Sequence, residues 1–149
     1  VQYAGAACTT EVPGSVLRCY HEAYQDRDLE ALRELLAPDF ISVNLTDPQI
    51  AALDREETLA LTEQLFSSSS LVDLSLRFGA DYVLRPGSES GTWEIRGVVM
   101  ILDIGGHFPG HPGVSATHVV HNGTLYVRLE AEPEPHCVIY REELADASH

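Results

Sequence analysis

Apolar positions recur at helical spacing over the first third of the chain and at strand spacing over most of the rest. Val16, Tyr20, Ala23 and Tyr24 fall on one face of a helix predicted to start near Glu11 or Pro13, where a proline suits the first turn. Asp28 reads as the N-cap of a short second helix, whose Leu29, Leu32, Leu35 and Leu36 form an apolar stripe and which Pro38 should stop. Phe40 to Leu45 then alternates as a strand, with Phe40, Ser42 and Asn44 on one face and Ile41, Val43 and Leu45 on the other. Asp54-Arg55-Glu56-Glu57 has the acceptor and the glutamate of a capping box, so a third helix is predicted from there to about Phe66, closed by the serines at 67–70.

Beyond the serines the period changes. Val72, Leu74, Leu76 and Phe78 alternate with Asp73, Ser75 and Arg77, which predicts a half-buried strand. A second strand near Asp81–Leu84 runs into the turn signal Pro86-Gly87, and a long one covers Trp93 to Ile104. Val98 to Leu102 is apolar on both faces and needs a cover on each side, one from the helices and one from a partner subunit, so a homodimer through the sheet is expected. The segment 105–113 is a loop by composition. Ser115–His121 and Thr124–Glu130 read as a hairpin about Asn122-Gly123, and His136–Arg141 as the last strand before a polar tail.

Helices first and antiparallel strands after them indicate an α+β domain. The 149 residues suffice for one core, with 1–10 read as a mobile leader and 11–149 as a single domain. Net charge is −14, which repels phosphate backbones and argues against a nucleic-acid partner. All nine basic residues are arginine, so lysine Schiff-base chemistry and a lysine-bearing phosphate loop are excluded. No cofactor fingerprint is present, and no Gly-x-Ser-x-Gly elbow. Three cysteines, Cys8, Cys19 and Cys137, do not make a disulfide framework. Gly5-Ala6-Ala7-Cys8 has the small-small-Cys form of a lipoprotein cleavage site; on that reading the protein is exported and tethered to a membrane through Cys8, and otherwise it is cytoplasmic or Cys8 is a chance cysteine in a leader.

The helix ending in Asp26-Arg27-Asp28-Leu29, the Leu32/Leu35/Leu36 helix, Ala37-Pro38-Asp39-Phe40, the 54–66 helix and the closing Cys137-Val138-Ile139-Tyr140-Arg141-Glu142 together resemble the nuclear-transport-factor-2-like superfamily, which includes ketosteroid isomerase and the SnoaL polyketide cyclases. The resemblance spans residues 12–144 as a pattern. It implies a cone-shaped, curved antiparallel sheet packed on three N-terminal helices, and a similarity to uncharacterised exported bacterial members. Aligned on Asp28-Leu29, Tyr20 falls at the isomerase's oxyanion-hole tyrosine. Asn44 falls at its carboxylate base, and an amide cannot take that proton. The second oxyanion donor, an aspartic acid, aligns near Leu125. One of three roles is kept.

The expected pocket is lined by Tyr20, Tyr24, Phe40, Asn44, Trp93 and Asp103. Each has a plainer reading: Tyr20, Tyr24 and Trp93 as core, Asn44 as a solvent-facing strand end, Asp103 as a strand reaching water. Asp103 or a loop histidine would be the base, and Tyr20 the donor, if the domain catalyses. His107 and His111 are the weak metal candidates, without a third ligand. His118 and His121 should face opposite sides of their strand. The expectation is a module binding a small, largely apolar molecule without catalysis; the alternatives are a SnoaL-like, dehydratase or isomerase-type enzyme, and a structural dimer with a filled cone.

Overall fold

A computed structural model describes residues 12–107, 113 and 115–147; the Cys8 motif and His111 lie outside the described residues. Three helices come first: α1 (Ser15–Gln25), α2 (Leu29–Leu35) and, after β1 (Leu36–Asn44) and the short β2 (Leu53–Asp54), α3 (Arg55–Phe66). The strands β3 (Leu71–Phe78), β4 (Val83–Pro86), β5 (Thr92–Gly106), β6 (Ser115–Glu130) and β7 (His136–Asp146) complete the chain. The sheet order is β2-β1-β7-β6-β5-β3, with β4 also paired to β5.

Local chemistry accounts for the helix ends. The Asp28 carboxylate accepts from the Ala31 amide at α2. At α3 both halves of the capping box form, Asp54 with the Glu57 amide and Glu57 with the Asp54 amide. α2 ends at Leu35, three residues before Pro38, and the chain passes straight into β1. Pro38 therefore lies inside a strand rather than at a helix stop.

Two expectations about the sheet are corrected. It is not wholly antiparallel, because β1 runs parallel to β7 while its other neighbour β2 is antiparallel. The Asn122-Gly123 pair is not a hairpin turn. β6 runs unbroken through it, with Val99 and Val98 opposite on β5 and Ala145 and Leu144 opposite on β7. Gly123 is needed for a close approach between strands: a Cβ there would sit 1.8 Å from the Glu143 carbonyl oxygen. The neighbouring β5 carries a bulge at Gly97, whose φ of +69° suits glycine. Close approach on one side and a bulge on the other bend the sheet at this level. β7 also continues to Asp146, through residues expected to form a polar tail.

The curved sheet holds one core against the helices. Val16, Tyr20 and Ala23 of α1, Leu32 and Leu35 of α2, and Leu59 of α3 pack with Phe40, Leu76, Ile95, Val98, Leu125, Val127 and Ile139 of the strands. His21 Nδ1 donates to the Leu76 carbonyl at 2.5 Å and pins α1 to β3.

Candidate functional site

Among the described residues one carboxyl lies inside this apolar core. Glu142 of β7 is 5% exposed. In the sheet register Ser42 of β1 lies beside it on one side and Leu125 of β6 on the other, with Ile95 of β5 next in the row. Tyr20 reaches it from α1. The Tyr20 hydroxyl donates to Glu142 Oε1 at 3.1 Å, and the Ser42 hydroxyl donates to Oε2 at 2.8 Å.

Among the described residues no cation pairs with this carboxyl, whose hydrogen-bond partners are Ser42 and Tyr20. Burial penalises the ionised form, the two hydroxyls favour it, and burial wins, so the carboxyl titrates above its usual range. The same burial, with Glu142 beside it, pushes the Tyr20 phenol well above its ordinary value. Burial also raises Tyr24, to about 12, against a hydrogen bond with Thr62 that opposes the shift. Tyr20, Glu142 and Ser42 thus form a hydrogen-bonded trio around one carboxyl in a low-dielectric interior. A neutral Glu142 can donate to an oxygen of a bound molecule; an ionised one can take a proton from it.

Aromatic rings wall the trio. Tyr20 lies 5.9 Å from Tyr24 and 5.7 Å from Phe78, centroid to centroid, and Tyr24 meets Phe66 edge-on at 5.1 Å. Ser42, Asn44 and Leu144 are only half-buried and lie toward the strand ends.

Of the six residues expected to line a pocket, Tyr20 alone touches Glu142. Tyr24 stands behind Tyr20. Phe40 is fully enclosed core. Trp93 is half-buried against the core, opposite Val127 and so two positions along β5 from the Glu142 row. Asn44 shares the Ser42 face, but its amide oxygen accepts from the Thr46 and Asp47 amides, each at 2.9 Å, and caps the turn after β1. Asp103 is corrected outright. Met100 faces the core, and Ile101 and Asp103 face away from it, because side chains alternate along the strand. On that outer surface Asp103 binds Arg77 Nε at 2.7 Å and contacts His118. The guanidinium, with His118 assisting, lowers its carboxyl to about 2. A carboxylate held ionised on the outer face cannot serve the interior.

His118 and His121 lie three positions apart on β6, opposite Asp103 and Met100, and so face opposite sides of the sheet. His107 Nδ1 donates to the Gly113 carbonyl at 3.2 Å. Among the described residues no three His, Cys, Asp or Glu side chains are placed to hold a metal. Cys19 and Cys137 are both buried.

Two grooves open elsewhere on the surface, and neither is lined by Glu142, Tyr20 or Tyr24. Sequence reasoning passes over Glu142 as a site residue: the strand read from periodicity stops at Arg141, five residues short of Asp146, and Glu142 enters only as the end of the closing segment of the resemblance. The available signal was an acid inside the closing strand, on the same face as the apolar Leu144.

No protein-family model matches the chain, and no curated protein matches it in sequence. Solved structures do match. A ketosteroid isomerase-like protein from Erwinia carotovora atroseptica superposes with a TM-score of 0.61 at 11% identity, over 94% of this chain and 97% of that one. A protein from Rhodospirillum rubrum described as NTF2-like, of unknown function in nutrient uptake, does so with 0.60 at 17% identity, over 91% and 98%. The chain has the nuclear-transport-factor-2-like fold. An NTF2-like protein of unknown function from Shewanella oneidensis agrees, with 0.59 at 15% identity over 90% and 96%. These identities establish the NTF2-like architecture and leave activity to the site itself. In this NTF2-like fold the enclosed carboxyl among the described residues is Glu142 on the last strand.

Proposed function

We propose that the cone binds a small, largely apolar molecule bearing one oxygen, and that Glu142, with Tyr20 and Ser42, holds that oxygen. The supporting observation is a carboxyl enclosed among apolar side chains with two hydroxyls and no cation. An apolar residue would fill this place without the desolvation penalty, which runs to several kcal/mol for an isolated charge. The aromatic rings of Tyr20, Tyr24, Phe66 and Phe78 suit a flat or alicyclic body. A second reading, acid–base conversion of that molecule, is favoured by the same observation, since an enclosed carboxyl raised by burial is suited to passing a proton to or from a bound oxygen.

Equilibrium titration with 2-naphthol and naphthalene, two probes of one shape, tests the binding. The naphthol is expected to bind about tenfold more tightly than the hydrocarbon, and Glu142→Leu to abolish the difference. Equal affinity for the two probes in the unaltered protein would defeat the proposal.

The outer face of the sheet supports a second copy of the chain as partner. Val99 and Ile101 are half-buried there and point away from the core. Around them the charges are paired: Arg77 with Asp103, Arg96 with Glu94, Arg141 with Glu143, Arg128 with Asp39 and Glu130. In a chain of net charge −14, a face where four arginines pair with five carboxylates is nearly balanced and weakly repelled by its own copy. Light scattering should give twice the 16.3 kDa chain mass. Ile101→Asp should return the mass to that of one chain.

A further inference from the structure

Beside the cone, on the other flank of α1, lies a groove of about 1020 Å³ between the α1–α2 corner and the β6–β7 connection. Its floor is apolar: Cys19 and Ala31 from the helices, Leu36 of β1, and Cys137 and Val138 of β7. Its walls carry eight carboxylates against two guanidinium groups, those of Arg33 and Arg55. Four of the carboxylates, Asp26, Glu34, Glu132 and Glu134, are exposed. None of the four makes a side-chain hydrogen bond or ion pair among the described residues. Arg33 is already committed to Glu56, with both contacts at 2.9 Å. Arg55 stands 3.9 Å from the same Glu56 through Nε, beyond hydrogen-bond reach, so its side chain, 21% exposed, keeps a buried Nε donor without a hydrogen-bond acceptor.

We propose that this groove docks a basic peptide segment in extended form, with arginine or lysine side chains toward the four open carboxylates and apolar side chains on the Cys19–Cys137 floor. Charge complementarity selects the cation, since a groove with this excess of carboxylates rejects acidic and phosphorylated partners. The open donor of Arg55 selects a peptide over a simple amine. A turn of the Arg55 side chain brings a donor to a main-chain carbonyl, an acceptor that a polyamine lacks. The volume lies at the upper end of the roughly 300–1,000 Å³ typical of small-molecule clefts, which suits a segment more than a single metabolite. This site shares no side chain with the Tyr20–Glu142–Ser42 trio.

The probe is a fluorescein-labelled nine-residue peptide of alternating arginine and leucine, with a glutamate-for-arginine version as its counterpart. Fluorescence anisotropy on the full chain should show saturable binding of the basic peptide and none of the acidic one. A groove variant, Asp26→Asn with Glu34→Gln, Glu132→Gln and Glu134→Gln, is expected to weaken binding at least about tenfold. A distant variant of equal charge, Asp47→Asn with Asp73→Asn, Asp81→Asn and Asp103→Asn, should change it by less than about twofold, because exposed charges beyond a Debye length are screened. Arg55→Met should weaken the peptide severalfold, and Glu142→Gln should leave it unchanged. Equal weakening by the two fourfold variants would reduce the effect to the general field of an acidic chain and overturn the proposal. So would displacement of the peptide by spermidine at equal concentration, or no saturable binding below about 1 mM.

Discussion

Glu142→Gln is expected to flatten the stability of this protein between about pH 4.5 and the pH at which the buried carboxyl ionises. The unfolded chain carries an ordinary glutamate with a value near 4.5, and the folded chain holds it higher. Above 4.5 the unfolded state releases the proton while the folded state still keeps it. The folded state therefore binds more protons, and stability falls as pH rises through this window. The contribution is fully present below 4.5 and gone once the folded-state value is passed. The glutamine side chain is neutral throughout and keeps an acceptor for Tyr20 or Ser42. Urea unfolding of both proteins across the window should give curves that converge at acid pH and separate toward neutrality, with the variant the more stable. Parallel curves would mean that Glu142 is not shifted by burial. Glu142→Ala should lie about 3 kcal/mol below Glu142→Gln at every pH, because it leaves a cavity and strands the buried Tyr20 hydroxyl and the half-buried Ser42 hydroxyl. The Asp103 carboxylate acts in the opposite sense and at lower pH. Its value is lowered from 3.8 to about 2, so what it contributes is present above 3.8 and lost as pH falls through about 2, outside the Glu142 window.

Gly123→Ala is expected to cost about 3 kcal/mol. The added Cβ would meet the Glu143 carbonyl oxygen at 1.8 Å and its carbon at 2.9 Å. Both belong to the backbone of β7, which β1 holds on its far side through Ser42↔Glu142 and Val43↔Glu143. No flexible side chain can yield, so the strands must part beside Glu142. The midpoint of urea unfolding should fall with little change in slope. Asn122→Ala is the informative companion. Asn122 is exposed within β6, and its replacement should cost less than about 0.5 kcal/mol. In a two-residue turn the asparagine would matter as well, so a large loss at 122 would restore the hairpin that the structure replaces.

The helical half of the molecule was legible because its signals are local. A capping aspartate at Asp28 or Asp54 acts on an amide three residues away, and both bonds form. β3 followed from strict alternation, and β5 was placed within a residue or two. The strand boundaries that failed did so where a long-range contact overrode a local preference. Asn-Gly is a strong turn signal, yet here the glycine lets two strands approach. Leu144 and Asp146 look like a polar tail until the register pairs them with Gly123 and His121.

The candidate site was legible in one residue, Tyr20, whose helical face follows from the spacing of Val16, Ala23 and Tyr24. Asp103 failed on a matter of parity, since counting from Met100 puts it on the outer face. Asn44 was placed on the right face, but its amide was not foreseen as the cap of the following turn. Glu142 and Ser42 meet across a parallel strand pair separated by about a hundred residues of chain, and no periodicity reports such a pairing.

By itself the sequence determined which segments are helical, where two of those helices begin, that a strand-rich second half must wrap the first, and that the surface is strongly acidic. These follow from caps, periods and composition, which act over a few residues or over the whole chain. Only the tertiary structure decided which carboxyl is enclosed, which faces outward and where the free acidic groove lies. Burial is set by what the chain brings together from far apart, and burial governs whether a carboxyl stays charged.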